Sequence, residues 1–194
     1  MSDRVEFCSA LSSLATVLTR YPWQTKYVIF PSPRQATVAL HALARRGHGW
    51  VNAHGTGIAR LASMLAEPAI SQKGLTTLSP VMFEDLVERA WTAVEGPGPE
   101  GAKKGAKASP LGPRTPGAVE ALARTLNDLR MGGVAQAELG KGAEALAAVY
   151  ARYMKMLADG RSADRAVLFT AALAASLPAG TKLVFAGGMY DALS

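Results

Sequence analysis

Cysteine occurs once, at Cys8, so the chain closes no internal disulfide and builds no thiolate zinc cage, and a lone thiol suits a reducing compartment. Nothing in the 194 residues approaches the run of about 18 apolar residues that spans a bilayer. The start, MSDRVEF, lacks a basic segment leading into an apolar stretch. The expectation is a soluble, cytoplasmic chain with no membrane partner. Histidine is scarce, and the spacings of His41, His48 and His54 do not repeat on one helix face and no acidic residue joins them, so they make a poor metal set. Acidic residues are outnumbered, 15 against 21 Lys and Arg; the formal charge of +6 suits a polyanionic partner without requiring one. Charged residues reach only 19% while hydrophobic ones reach 49%, which excludes a disordered chain and supports one ordinary domain or one with a small subdomain.

What is present is an alternation of two periods. Residues 5–7 predict a short strand, followed at helical spacing by Leu11, Leu14, Ala15 and Leu18. YVIF at 27–30 predicts a buried strand closed by Pro31-Ser32-Pro33, and Ala36, Leu40, Leu43 and Ala44 line a helix ending at Gly47. Residues 50–52 read as a third strand, His54-Gly55-Thr56-Gly57 as a turn, and Ile58, Leu61, Ala62 and Leu65 as a third helix. Strands alternating with helices at this spacing imply right-handed crossovers and a parallel sheet.

Ser79-Pro80 is a cap-then-proline helix start, with Met82, Leu86, Ala90 and Trp91 as its apolar stripe. Residues 95–117 hold five of the 11 prolines, and with KKGAK and little to bury they read as a loop or linker. Thr115-Pro116 opens another helix, stopped by Gly132-Gly133. Leu146, Val149, Tyr150, Tyr153 and Leu157 define the next, closed by Asp159-Gly160; on that stripe the tyrosines read as core packing rather than base-stacking groups. Ser162 reads as the cap of a helix running to Pro178, and KLVFA at 182–186 as a last, central strand that would feed a further crossover. The expected organisation is a core at 1–94, a linker at 95–116, a helical subdomain at 117–180 and a returning core strand at 181–194.

Two turns carry functional signal. Pro31-Ser32-Pro33-Arg34-Gln35 lies where a parallel strand ends and a helix begins, the edge at which α/β sheets place ligands. Gly55-Thr56-Gly57-Ile58-Ala59-Arg60 is a similar stretch after the next strand. Small and hydroxyl residues let helix-start amides face a phosphate, and Arg34 adds charge. Both also read as ordinary helix caps.

VIFPSPRQA, followed by a helix, a strand and GTGIARLASML, resembles the second and third conserved segments of UvrD/Rep-type superfamily 1 helicases, whose corresponding turns contact single-stranded DNA. The Pro-Ser-Pro-Arg form, with PGAVEALARTLNDLRMGGV and AEALAAVYARYMKML, is more similar to the B subunit of AddAB-type helicase-nucleases. Those proteins join an N-terminal helicase-like region to a C-terminal PD-(D/E)XK nuclease domain. The resemblance covers most of the chain outside residues 95–115. It implies a P-loop-derived α/β fold, a mainly parallel sheet flanked by helices with an additional helical subdomain. It further implies single-stranded or unwinding DNA at Ser32, Arg34, Gln35 and Thr56, an AddA-like partner subunit, and a part in double-strand-break processing.

The departures from that pattern matter as much. An ATPase of this class needs a glycine-rich loop with Gly-Lys-Ser/Thr after its first strand, where bare amides wrap the phosphates. Here the stretch reads Phe7-Cys8-Ser9-Ala10-Leu11-Ser12-Ser13-Leu14, the first glycine being Gly47 and the first lysine Lys26. Where a strand should end in Asp-Glu to hold Mg²⁺, LVFA runs into Gly187-Gly188, and Asp191 matches a later carboxylate. The expectation is therefore a non-catalytic, DNA-binding helicase-like region, with no catalytic residue, cofactor or metal in this chain. The alternatives are a fragment of an active superfamily 1 helicase or of an unrelated α/β enzyme.

Overall fold

In chain order the elements are β1 (Val5–Cys8), α1 (Leu11–Arg20), β2 (Lys26–Phe30), α2 (Pro33–Arg45), β3 (Ala53–Gly57), α3 (Ile58–Gln72) and β4 (Thr76–Thr77). There follow α4 (Pro80–Glu95), α5 (Pro116–Met131), α6 (Glu144–Asp159), β5 (Ser162–Ala163), α7 (Arg165–Ala174) and β6 (Lys182–Ala186). They are seen in a computed structural model that describes residues 5–96 and 110–187; KKGAK, Gly188 and Asp191 lie outside the described residues. The fold is α/β, with a parallel sheet flanked by helices. The chain divides into two units, Met1–Ala66 with Ala172–Ser194, and Glu67–Ala171.

The first unit holds a four-stranded parallel sheet in the order β1-β6-β2-β3. Its KLVFA strand is central, as the unbroken apolar run implies. Leu11, Leu14, Val17 and Leu18 of α1 and Ala36, Ala39 and Leu43 of α2 pack with Cys8, Val28, Phe30, Val184 and Ala186 into one core. Strand side chains alternate between faces, so the intervening residues point the other way. There Phe7 is 78% exposed and stacks on Phe185 at 5.3 Å.

The third strand is not at residues 50–52. β3 is Ala53–Gly57, the stretch whose sequence reads as a turn. Two causes place it there. Lys26 to Phe30 pair in register with Ala53 to Gly57, which supplies the backbone partners that the side chains do not advertise. And α2 lies so close that a Cβ on Gly55 would sit 3.0 Å from Ala36 Cβ and from Leu40 Cδ1. Any side chain there would push Ala36 or Leu40 aside by a few tenths of an ångström.

In the second unit, Leu86, Val87, Ala90 and Trp91 of α4 join α5 and α6 in one core with Val119, Leu122, Leu126, Val149, Tyr150, Tyr153 and Leu157. Thus α4 packs with the helical unit, whereas the sequence grouped it with the core at 1–94. Ser79 and Thr115 accept from the amides of Met82 and Ala118, the caps that the Ser-Pro and Thr-Pro pairs announce. Ser162 caps nothing: it belongs to β5, which pairs with β4 through Thr76↔Ser162 and Thr77↔Ala163. The cap of the following helix is Asp164, whose Oδ1 accepts from Val167 N at 3.0 Å, and that helix ends at Ala174 rather than Pro178.

Asp164 is 4% exposed and anchors the unit's buried polar network. Arg130 donates to it twice, Nε to Oδ2 at 2.9 Å and Nη2 to Oδ1 at 3.2 Å, and the Tyr153 hydroxyl donates to Oδ2 at 3.0 Å. Burial alone would raise this carboxyl's pKa; the hydrogen bonds from Arg130 and Val167 outweigh it and hold it below the ordinary value. Burial beside Asp164 pushes the Tyr153 hydroxyl the other way, so it stays protonated and donating.

Candidate nucleic-acid interface

Because the four strands are parallel, the segments that follow them emerge at one edge, and β2 and β3 are neighbours paired from Lys26↔Ala53 to Phe30↔Gly57. The turn at residues 31–35 and the start of α3 are therefore adjacent. Ser32 is the N-cap of α2: its Oγ accepts from Gln35 N and donates to Gln35 Oε1, both at 3.3 Å. Ser32 and Gln35 are half-buried and spent largely on each other. Arg34 is exposed and points no hydrogen bond or ion pair at any described residue. Thr56 does not join them. It is 5% exposed inside β3, with its hydroxyl directed at Gly57 O at 3.3 Å, because the strand occupies what reads as a turn. Arg60 takes its place on the adjacent helix start, exposed like Arg34 and, among the described residues, without an acidic partner.

At the same edge β1 passes into α1 through Ser9 and Ala10 alone. Ser13 Oγ donates to Ala10 O at 2.8 Å and accepts from Ala10 N at 3.3 Å, so the first amide of this helix start already has a partner. Gly187, directly after β6, donates its N–H to Cys8 O at 3.0 Å. Cys8 is buried; burial raises its thiol pKa above the ordinary value, which leaves it a poor nucleophile. No group of three or more His, Cys, Asp or Glu among the described residues is placed to hold a metal. No helix among them is long and apolar enough to cross a membrane.

The second unit carries a cleft of about 450 Å³, lined by Leu78, Met82 and Met156 and rimmed by Asp85, Arg89 and Arg152. Asp85 and Arg89 pair across 3.6 Å, both largely exposed, so the cleft concentrates no charge of one sign. Tyr150 and Tyr153 are buried in the helical core, with Tyr150 donating to Val134 O at 3.0 Å.

The charge is unevenly shared. The sheet-bearing unit has eight Lys and Arg against three Asp and Glu, a net of +5, while the helical unit has 13 against 12. Between Phe7 and Ala66 there is no acidic residue, yet six cations: Arg20, Lys26, Arg34, Arg45, Arg46 and Arg60. Comparison with protein-family models and with curated proteins finds no match for the chain. The candidate interface rests on the chain's own geometry. Arg60 was legible as the first cation after the Gly-Thr-Gly stretch; the acid-free run was legible by counting charges per segment instead of over the whole chain.

Proposed function

We propose that the sheet-bearing unit is a non-catalytic binding region for single-stranded DNA. One observation carries this reading. Arg34 and Arg60 stand exposed and, among the described residues, unpaired on adjacent helix starts, in a stretch of 60 residues with no acidic side chain. Helix-start amides and neighbouring guanidiniums favour phosphate, and the absence of carboxylates removes the groups that would repel it. The similarity of residues 28–36 and 55–65 to helicase segments gives the reading its specific form: a helicase-like region of a DNA-break-processing helicase-nuclease, working beside an AddA-like subunit that supplies ATP hydrolysis. The short β1–α1 connection, with no glycine and no lysine, supports a role without nucleotide.

Fluorescence anisotropy with a labelled oligodeoxythymidine, titrated over a range of salt, tests it. Each phosphate contact on a single strand contributes about 0.7 to the slope of log K against log salt. Arg34→Ala and Arg60→Ala should each reduce the slope by about that amount. Absence of binding at low salt, or slopes unmoved by both substitutions, refutes the reading.

A further inference from the structure

At the opposite, amino edge of the same sheet, the loop between α1 and β2 displays Trp23 at 80% exposure. A solitary exposed apolar side chain is ordinary; the bracing around this one is not. Four of the five carbonyls at residues 21–25 are engaged. Lys26 Nζ donates to Tyr21 O at 2.5 Å and Gln24 O at 2.7 Å, Asn52 Nδ2 to Trp23 O at 3.3 Å, and Lys182 N to Thr25 O at 2.9 Å. Lys26 is itself fully buried, and its N–H donates to Asn52 O at 2.7 Å. Asn52 holds a left-handed backbone, φ 54°, to make this contact. Burying an ammonium is costly unless its donors are matched, and here the matched acceptors are the carbonyls that fix the loop. An aromatic held on a fixed loop loses little freedom on binding.

The surroundings choose the occupant. The helices α1 and α2 end at this edge, and their free carbonyls would make it negative. Lys26 on Tyr21 O, together with Arg45 in the last turn of α2, offsets that, while Arg20 in the last turn of α1 is paired with Glu6 at 3.4 Å. Arg45 and Arg46 are exposed on the way to Asn52, and no acidic residue lies between Phe7 and Ala66. Glu6 of β1 also reaches this edge, but its Oε1 is taken up by Arg20 Nη1 at 3.4 Å and by the Tyr21 hydroxyl at 3.0 Å. A flat indole on a braced loop with Arg45 and Arg46 exposed nearby matches a base with its phosphate, and stacking tolerates any base.

We infer that Trp23 is a stacking platform for a nucleobase of single-stranded DNA, forming a second contact region with Arg45 and Arg46 at the amino edge of the sheet. This rests on the proposed single-strand binding, and the test separates the two. Anisotropy with a labelled oligodeoxythymidine of about 16 nucleotides would compare the full chain with Trp23→Ala and Trp23→Phe. Loss of one stacked base weakens affinity by about fivefold to 150-fold. Trp23→Ala should show that loss with an unchanged salt slope, Trp23→Phe should restore most of it, and heparin, which offers anions without bases, should bind all three alike. Equal DNA affinity of wild type and Trp23→Ala, or a Trp23→Phe as weak as the alanine variant, overturns the stacking site and leaves the Arg34 and Arg60 reading standing. Failure of the wild type to bind at all overturns both.

Discussion

Replacing Asp164 by alanine removes the acceptor on which three donors converge. The Arg130 side chain, 18% exposed, loses both of its bonds to a carboxylate that is 3% exposed; the Tyr153 hydroxyl loses its partner, and Val167 N at the start of α7 loses its cap. Removing one member of a buried ion pair costs about 3–5 kcal/mol, because the remaining charge is left desolvated and unpaired. Against a urea dependence of about 1–3 kcal/mol/M, the unfolding midpoint of the helical unit should fall by about 1 M or more. Trp91, 1% exposed in the same unit, reports the transition once Trp23 and Trp50 are changed to phenylalanine. The double variant Asp164→Leu/Arg130→Met should recover much of the loss, since apolar groups of similar volume leave no orphaned charge. The pH dependence has a defined sign. Asp164 titrates below its ordinary 3.8 when folded, so its contribution is complete above that value and disappears as pH falls through the lowered one. A loss under about 1 kcal/mol for Asp164→Ala, or a double variant no better than the single one, refutes the burial and pairing on which this rests.

Gly55→Val should cost about 1–3 kcal/mol by overpacking against Ala36 and Leu40, and Gly55→Ala less, as measured by chemical denaturation; a neutral valine would mean that α2 does not lie against β3 as closely as described. Burial lowers the pKa of Lys26, so its charged form disfavours folding, and stability should rise as pH climbs through the lowered value towards the ordinary 10.5. A pH series comparing wild type with Lys26→Met should therefore diverge in favour of wild type over that window, and a constant difference counts against it. Titration calorimetry with Mg-ATP should give no binding heat; micromolar affinity would contradict the non-catalytic reading.

The parts of the fold written in local chemistry were legible. Ser32-Pro33, Ser79-Pro80 and Thr115-Pro116 each pair a capping hydroxyl with a proline preset for the first helical turn, and each starts a helix. YVIF and KLVFA are strands because unbroken apolar runs bounded by turns have few other uses. What failed depends on partners distant in sequence. Ala-His-Gly-Thr-Gly has little strand propensity to read, and becomes β3 because β2 offers its backbone and Gly55 lets α2 lie close against it. Ser162 lost its capping role to a two-residue pairing with Thr76, 86 positions earlier. The bond between Arg130 and Asp164 spans 34 residues with no periodic trace. Of the turn residues, Arg34 stayed on the surface, Ser32 and Gln35 turned towards each other, and Thr56 went inside with its strand.

The two cationic edges of the sheet should act independently in physiological salt, and the dimensions of α2 say why. From Arg34 to Arg45 the helix rises about 17 Å at 1.5 Å per residue, twice the Debye length of about 8 Å at 0.15 M. Charge at one edge is largely screened from the other, and residues so far apart without shared partners contribute additively to within about 0.5 kcal/mol. Arg34→Ala combined with Trp23→Ala should therefore lose the sum of the two single effects on DNA binding at 0.15 M salt, the first through the salt slope and the second through a constant offset. At 0.01 M the Debye length reaches about 30 Å, the fields of both edges overlap, and the affinity lost with Arg34 should grow while that lost with Trp23 stays constant. Strong non-additivity at 0.15 M would mean that a strand engages both edges as a single cooperative unit, contrary to two separate contacts on one sheet.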